Sequence, residues 1–151
     1  MLHKAKVELS NALKIRTIMI DLIETTEIKE KISENPAQIL DIIGEASMGV
    51  CITNAQGIFV AVNDHYCQIY GYAENELIGQ SFTIVVPGSN QETMSNLHDK
   101  FIRDKSEIAR NWQVVNKAGQ EMEISVDTGY SEIIFDSTPH KITFVKLETQ
   151  L

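Results

Sequence analysis

A chain of 151 residues, 43% of them hydrophobic, is long enough for one ordinary domain whose core needs neither disulfide nor metal. Its 13 Lys and Arg stand against 21 Asp and Glu, and a net charge of -8 without any basic cluster disfavours direct contact with nucleic acid or anionic lipid. No apolar run reaches membrane-spanning length, polar residues interrupt the amino terminus too often for a signal peptide, and Cys51 and Cys67 fall in packed elements, so a cytoplasmic protein is expected.

Taken in chain order, Leu2, Ala5, Leu9, Ala12, Met19 and Ile23 recur on a seven-residue repeat interrupted by Arg16, which predicts an amphipathic helix within residues 1–35. A lone helix of this kind is marginal in water, so its stripe must be covered. A second copy of the chain is the expected cover, with Leu2, Leu9, Ala12, Met19 and Ile23 on the dimer seam; the alternative is that the helix folds back on its own domain. Asn35-Pro36 marks a fresh start, with Asn as cap, Pro at the first helical position and Gln38 closing a capping box, so Ala37–Ala46 is read as a new helix.

Met48, Val50 and Ile52 then alternate as a first strand, and the run Ile58–Val62, after a turn ending at Gly57, reads as a second strand buried on both faces. Asn63-Asp64 supplies a helix cap, and Tyr66, Cys67, Ile69 and Tyr70 follow at helical spacing to Gly71. Short helices are expected over Glu74–Ile78, closed by Gly79, and Phe82–Val86, closed by Pro87, with a longer one from about Gln91 to Asp104. Trp112 and Val114, with Ala109 before them, mark a third strand, Lys117-Ala118-Gly119 a hairpin, and Ile142–Leu147 a fifth strand. In the fourth, Met122, Ile124 and Val126 alternate with Glu123, Ser125 and Asp127, which puts Glu121, Glu123 and Asp127 on a solvated outer face. These elements make an α+β domain, a five-stranded antiparallel sheet with short helices on one face that can enclose a pocket.

Val62-Asn63, Gly71-Tyr72 and Asn75-Glu76-Leu77-Ile78-Gly79, followed by Pro87 and the Lys117-Ala118-Gly119 hairpin, resemble the ordered motifs of PAS sensory domains over residues 36–149. The resemblance implies a PAS fold preceded by the helix of residues 1–35. It also implies a sensory and interaction module of bacterial-type signal transduction, including two-component systems, that relays signal by helix packing and performs no chemistry itself. The implied partners are a second copy, joined through the amino-terminal helix and the sheet face, and a signalling protein or a missing effector such as a histidine kinase or cyclase. Ala73 and Ala118 stand where the family carries a capping Ser or Thr and a hairpin Asp. The ending Lys146-Leu147-Glu148-Thr149-Gln150-Leu151 lacks the family's closing Asp-Ile/Val-Thr triad, so if the chain is whole, output would leave through the amino-terminal helix, the dimer surface or a separate partner.

Pocket-facing candidates are Ile52, Tyr66, Ile69, Ile84, Met94, Leu97, His98, Trp112, Val114 and Phe144. No cofactor is expected. A flavin adduct is disfavoured because Phe82 occupies the position after Gly79 where such photosensors carry cysteine. The rival reading is a haem gas sensor, since Leu97-His98-Asp99-Lys100-Phe101-Ile102 resembles the ligand run of haem PAS domains and Arg110 falls where they keep an arginine. Against it, the interval from His98 to Arg110 is short for those sensors, and counting from Pro87 puts the ligand position nearer Met94 or Ser95. His3, His65 and His140 are scattered without metal-ligand spacing. A third reading, a small pocket enzyme of isomerase or dehydratase type using His98 and Asp99, suffers because adjacent helical residues diverge by about 100°.

Overall fold

The computed structural model, which describes residues 20–106 and 109–150, contains one antiparallel sheet. Its strands are β1 (Gly49–Asn54), β2 (Phe59–Val62), β3 (Ala109–Val115), β4 (Glu121–Ser131) and β5 (His140–Gln150), ordered β2-β1-β5-β4-β3. The helices are α1 (Leu22–Glu34), α2 (Ile39–Gly44), α3 (Asp64–Tyr70), α4 (Glu74–Leu77) and α5 (Gln91–Asp104). Single 3₁₀ turns at Phe82–Val85 and Gly88–Asn90 lead into α5, whose sequence-based bounds it reproduces. The sheet is thus sandwiched, with α3 to α5 on one face and α1 and α2 on the other.

Alternation within the strands separates two cores. Val50, Ile52, Ala61, Ile142 and Phe144 pack with Ile28 and Ile32 of α1 and Ile39 and Ile43 of α2. Cys51, Phe59, Val114, Ile124, Val126 and Val145 pack with Tyr66, Tyr70 and Leu77 on the other side. The second strand departs from expectation: as the sheet's edge it buries only Phe59 and Ala61, while Val60 and Val62 are half-buried.

α1 turns back on its own sheet. Asp21 caps it by accepting from Ile23 N at 3.0 Å and Glu24 N at 3.1 Å, a start that the heptad reading did not foresee. Burial of Ile28 and Ile32, at about 1.5–3 kcal/mol each, gives this helix the tertiary support that 13 residues lack in isolation. Lys29 adds an ion pair, its Nζ lying 3.1 Å from Asp127 Oδ2, and its aliphatic stem runs over Gly129, where any Cβ would crowd it. Asp127 is therefore not on a solvated outer face: its side chain is only 8% exposed, because α1 covers that face. Of the predicted dimer seam, Leu2, Leu9, Ala12 and Met19 lie outside the described residues, and Ile23 is 76% exposed. The capping box at Asn35 does not form either; Pro36–Gln38 is a 3₁₀ turn without a side-chain cap, and α2 begins only at Ile39.

Asn63 joins the parts. Buried at the head of α3, its Oδ1 accepts from Val50 N at 2.9 Å and Tyr66 N at 3.0 Å, while its Nδ2 donates to Ile43 O at 2.8 Å and Met48 O at 2.9 Å. One amide thus ends α2, begins β1 and caps α3. Ala73, by contrast, gives α4 no side-chain acceptor; only Glu76 Oε1 returns a bond, to Ala73 N at 2.9 Å.

Asn63→Ala would leave two carbonyls and two amides without their partner in a buried site, and is expected to cost about 3 kcal/mol or more in urea-monitored unfolding. A loss under 1 kcal/mol would show that the amide is not the joint described here.

Candidate functional site

Between the sheet and α3–α5 lies a cavity of ≈ 70 Å³. Four of the five strands contribute every second residue to its wall: Cys51 and Thr53 from β1, Trp112 and Val114 from β3, Ile124, Val126 and Thr128 from β4, and Lys141, Thr143 and Val145 from β5. Tyr66 and Tyr70 close it from α3, Phe82, Val85 and Val86 from the 3₁₀ turn, and Met94 and His98 from α5.

Of the sequence candidates, the structure brings Tyr66, Met94, His98, Trp112 and Val114 to this wall. Ile52 and Phe144 point the other way, into the core beneath α1, because their neighbours Cys51, Thr143 and Val145 occupy the inward phase of the same strands. Ile69 packs over Gly49, Ile84 is half-buried beside the cavity, and Leu97 is on the exposed side of α5. The polar residues Thr53, Thr128, Lys141 and Thr143 escaped the sequence reading; their signal was a strand-period alternation with Ile52, Ile142 and Phe144.

The Tyr66 hydroxyl contacts the Cys51 thiol and the Tyr70 hydroxyl through hydrogen bonds. The Tyr66 and Tyr70 rings lie 4.6 Å apart, and Phe59 meets Tyr66 edge-on at 5.8 Å. Burial pushes the Cys51 thiol up to about 11 against the opposing pull of Tyr66, Thr143 and Lys141, so it stays protonated and poorly nucleophilic. Burial likewise raises Tyr66 and Tyr70. These are neutral wall groups.

His98 is 3% exposed, stacked on Phe82 at 5.3 Å, and its Nε2 lies 3.0 Å from Asn54 O. A carbonyl only accepts, so Nε2 carries the proton and donates. Gly57, at φ +77, keeps the turn that follows Asn54 close to this stack; a Cβ there would come within 2.9 Å of the Phe82 ring. Burial lowers the His98 pKa, nearby Lys141 lowers it further, and the Asn54 carbonyl and Asp99 only partly oppose them.

These facts do not fit haem. The nitrogen that would bind iron is engaged as a donor to Asn54, and ≈ 70 Å³ falls well short of the roughly 300–1,000 Å³ of ordinary ligand sites. Arg110 is exposed, its guanidinium 3.9 Å over the Trp112 ring, and does not line the cavity. Nor do His98 and Asp99 converge: the first is in the wall and the second is exposed. Among the described residues no group of three His, Cys, Asp or Glu could hold a metal ion, and no helix is long and apolar enough to cross a membrane.

The PAS domain model matches residues 47–138, the span from the start of β1 through the loop before β5. The chain belongs to the PAS domain family. The fold agrees with that of a PAS domain from Colwellia psychrerythraea at TM-score 0.64 and 14% identity, covering 75% of this chain and 96% of the other. A PAS domain from Desulfitobacterium hafniense gives 0.62 and 17%, covering 71% and 98%. A PAS domain of a LuxR-family transcriptional regulator from Burkholderia thailandensis, solved in complex with ethanol, gives 0.57 and 17%, covering 71% and 94%. No curated protein matches the sequence.

Because the folded His98 titrates below its unfolded value of about 6.5, the unfolded chain binds the extra proton, so this group's contribution is complete above about pH 6.5 and is lost as pH falls toward the folded pKa. His98→Gln keeps an amide donor without the titration. Urea midpoints of the parent should fall more steeply than those of His98→Gln between about pH 7 and 5; parallel curves would show that His98 is not buried neutral.

Proposed function

We propose that this PAS domain is a cytoplasmic sensor and interaction module that reports the state of its cavity to the leading helix, without chemistry of its own. One observation carries the reading: β4 presents Ile124, Val126 and Thr128 to the cavity and, on its reverse, Asp127 to Lys29 of α1. A shift of this strand on occupation would change the ion pair and the seat of Ile28 and Ile32 together. The small cavity suits a few-atom occupant, as does the ethanol in the Burkholderia domain.

The chain's own α1 already covers the outer face of the sheet, so a second copy would join through the heptad residues of 1–35 rather than that face, with Ile23 at the exposed end of the seam. In this reading residues 1–35 transmit and residues 36–149 sense. The receiver is a signalling partner or an effector of kinase or cyclase type.

Val126→Leu, which adds one methylene to the cavity wall, is expected to speed amide exchange in residues 22–34, as is Lys29→Met, which breaks the tie from the helix side. Exchange there that ignores Val126→Leu would sink the relay. By light scattering, Leu9→Glu with Met19→Glu should halve the mass of the parent chain; equal masses would remove the heptad from the proposal.

A further inference from the structure

One wall residue has no oppositely charged counterpart among the described residues. Lys141 faces the cavity from β5, paired across the sheet with Thr53. The ion pairs of the described residues engage Lys29, Arg103, Lys105 and Lys117, and none reaches Lys141. Nor does any oxygen among the described residues accept a hydrogen bond from its Nζ; what meets the ammonium is the Phe101 ring, 5.0 Å to the centroid. Desolvation lowers the Lys141 pKa, and Cys51 opposes it with a smaller upward pull.

Lys141 is half-buried, and the part of its hydration lost against the apolar wall has a cost that an acceptor in the cavity would offset. Its neighbours restrict what that can be. Thr53 and Thr143 add hydroxyl donors on the same sheet face, while Met94, Val114 and Val126 leave the remainder of the wall aliphatic. The volume, ≈ 70 Å³, is about half of the roughly 150 Å³ that admits benzene in an engineered cavity, so the occupant must be smaller than that six-carbon ring. A single point charge without a backbone amide nest suits a singly charged head better than a phosphate dianion.

Building on the sensor reading above, we infer that the cavity takes a short monocarboxylate of the acetate or propionate class. Its carboxylate meets Lys141 Nζ, and its aliphatic end lies against Met94, Val114 and Val126. The ligand then completes the ion pair that the protein leaves open.

The test uses the full chain and sodium propionate at constant ionic strength, with sodium chloride as control and 1-propanol as a neutral probe of similar size. The readouts are thermal melting and the methyl resonances of Met94, Val114 and Val126. Propionate should raise Tm saturably and shift these methyls, where chloride does not. In Lys141→Met, a variant expected to fold because it replaces a half-buried cation with an apolar side chain of similar length, propionate affinity should drop about tenfold or more while the response to propanol persists. Equal propionate binding by both proteins, or a propionate response no greater than that of chloride, would overturn the anion inference. Propanol shifts in the latter case would leave the sensing cavity standing, and methyls silent to every probe would remove that reading as well.

Discussion

The buried amide of Asn63 is the constraint on which the rest of this molecule depends. Its two acceptor sites fix the first amides of β1 and α3, and its two donor sites fix the carbonyls of Ile43 and Met48. No other uncharged side chain but Gln offers two donors and two acceptors, and Gln would move them by one bond length. Because Val50 N is tied to it, Val50 and Ile52 face α1, and Cys51 and Thr53 face the cavity. Because Tyr66 N is tied to it, α3 starts in the phase that lays Tyr66 and Tyr70 against that same cavity.

From this joint follows a sheet that is one layer thick and holds two different environments. Beneath α1 the strand residues Val50, Ile52, Ile142 and Phe144 are apolar, and Asp127, a buried carboxylate, has its lysine. On the cavity side the same strands present Thr53, Thr128, Lys141 and Thr143 among the valines. Since a strand cannot move one face without the other, a shift in the cavity layer would also be felt in the close-packed layer under α1, where a small displacement costs most. The two ties of α1, hydrophobic at Ile28 and Ile32 and ionic at Lys29, both end on this sheet.

Much of the fold was legible because local chemistry and the family motifs agreed. Asn63 before α3, Gly71 after it, Pro87 before α5 and Gly119 in the hairpin each mark a boundary by a conformational need, and Gly71 and Gly119 take positive φ. Candidate wall residues on helices, Tyr66, Met94 and His98, were reachable from helical spacing. Strand phase was legible on β3, where Trp112 and Val114 reach the wall, but not on β1 and β5. Ile142–Val145 is a run in which residues of both faces favour strands, so hydrophobicity alone could not say that Thr143 rather than Phe144 turns inward; pairing with Cys51 decides it. Asp127 was misread for a related reason: alternation shows which residues share a face, but only the fold shows that α1 covers it. His98 looked like a ligand in sequence because nothing there discloses that the Asn54 carbonyl, 44 residues away, accepts a hydrogen bond from its Nε2.

The contrast between the two sheet faces also bears on whether the cavity is merely imperfect packing. An unfilled core left by chance would be lined as the opposite face is lined, with Ile, Val and Phe, and its neglected volume would cost stability without any chemical preference. Here polar side chains occupy cavity-facing positions on β1, β4 and β5, where β-branched apolar residues would fill the space and pack at lower cost. Thr53 and Lys141 are cross-strand partners, and Cys51 opposite Thr143 is the next inward pair along β1 and β5, so the polar wall is contiguous rather than scattered. A sequence that keeps the face beneath α1 mainly apolar, with Asp127 paired to Lys29, and gathers polar strand residues at one cavity spends stability chiefly there. The residues concentrated there, hydroxyls and one ammonium, donate hydrogen bonds, which is the property an anionic occupant needs and a purely structural core does not.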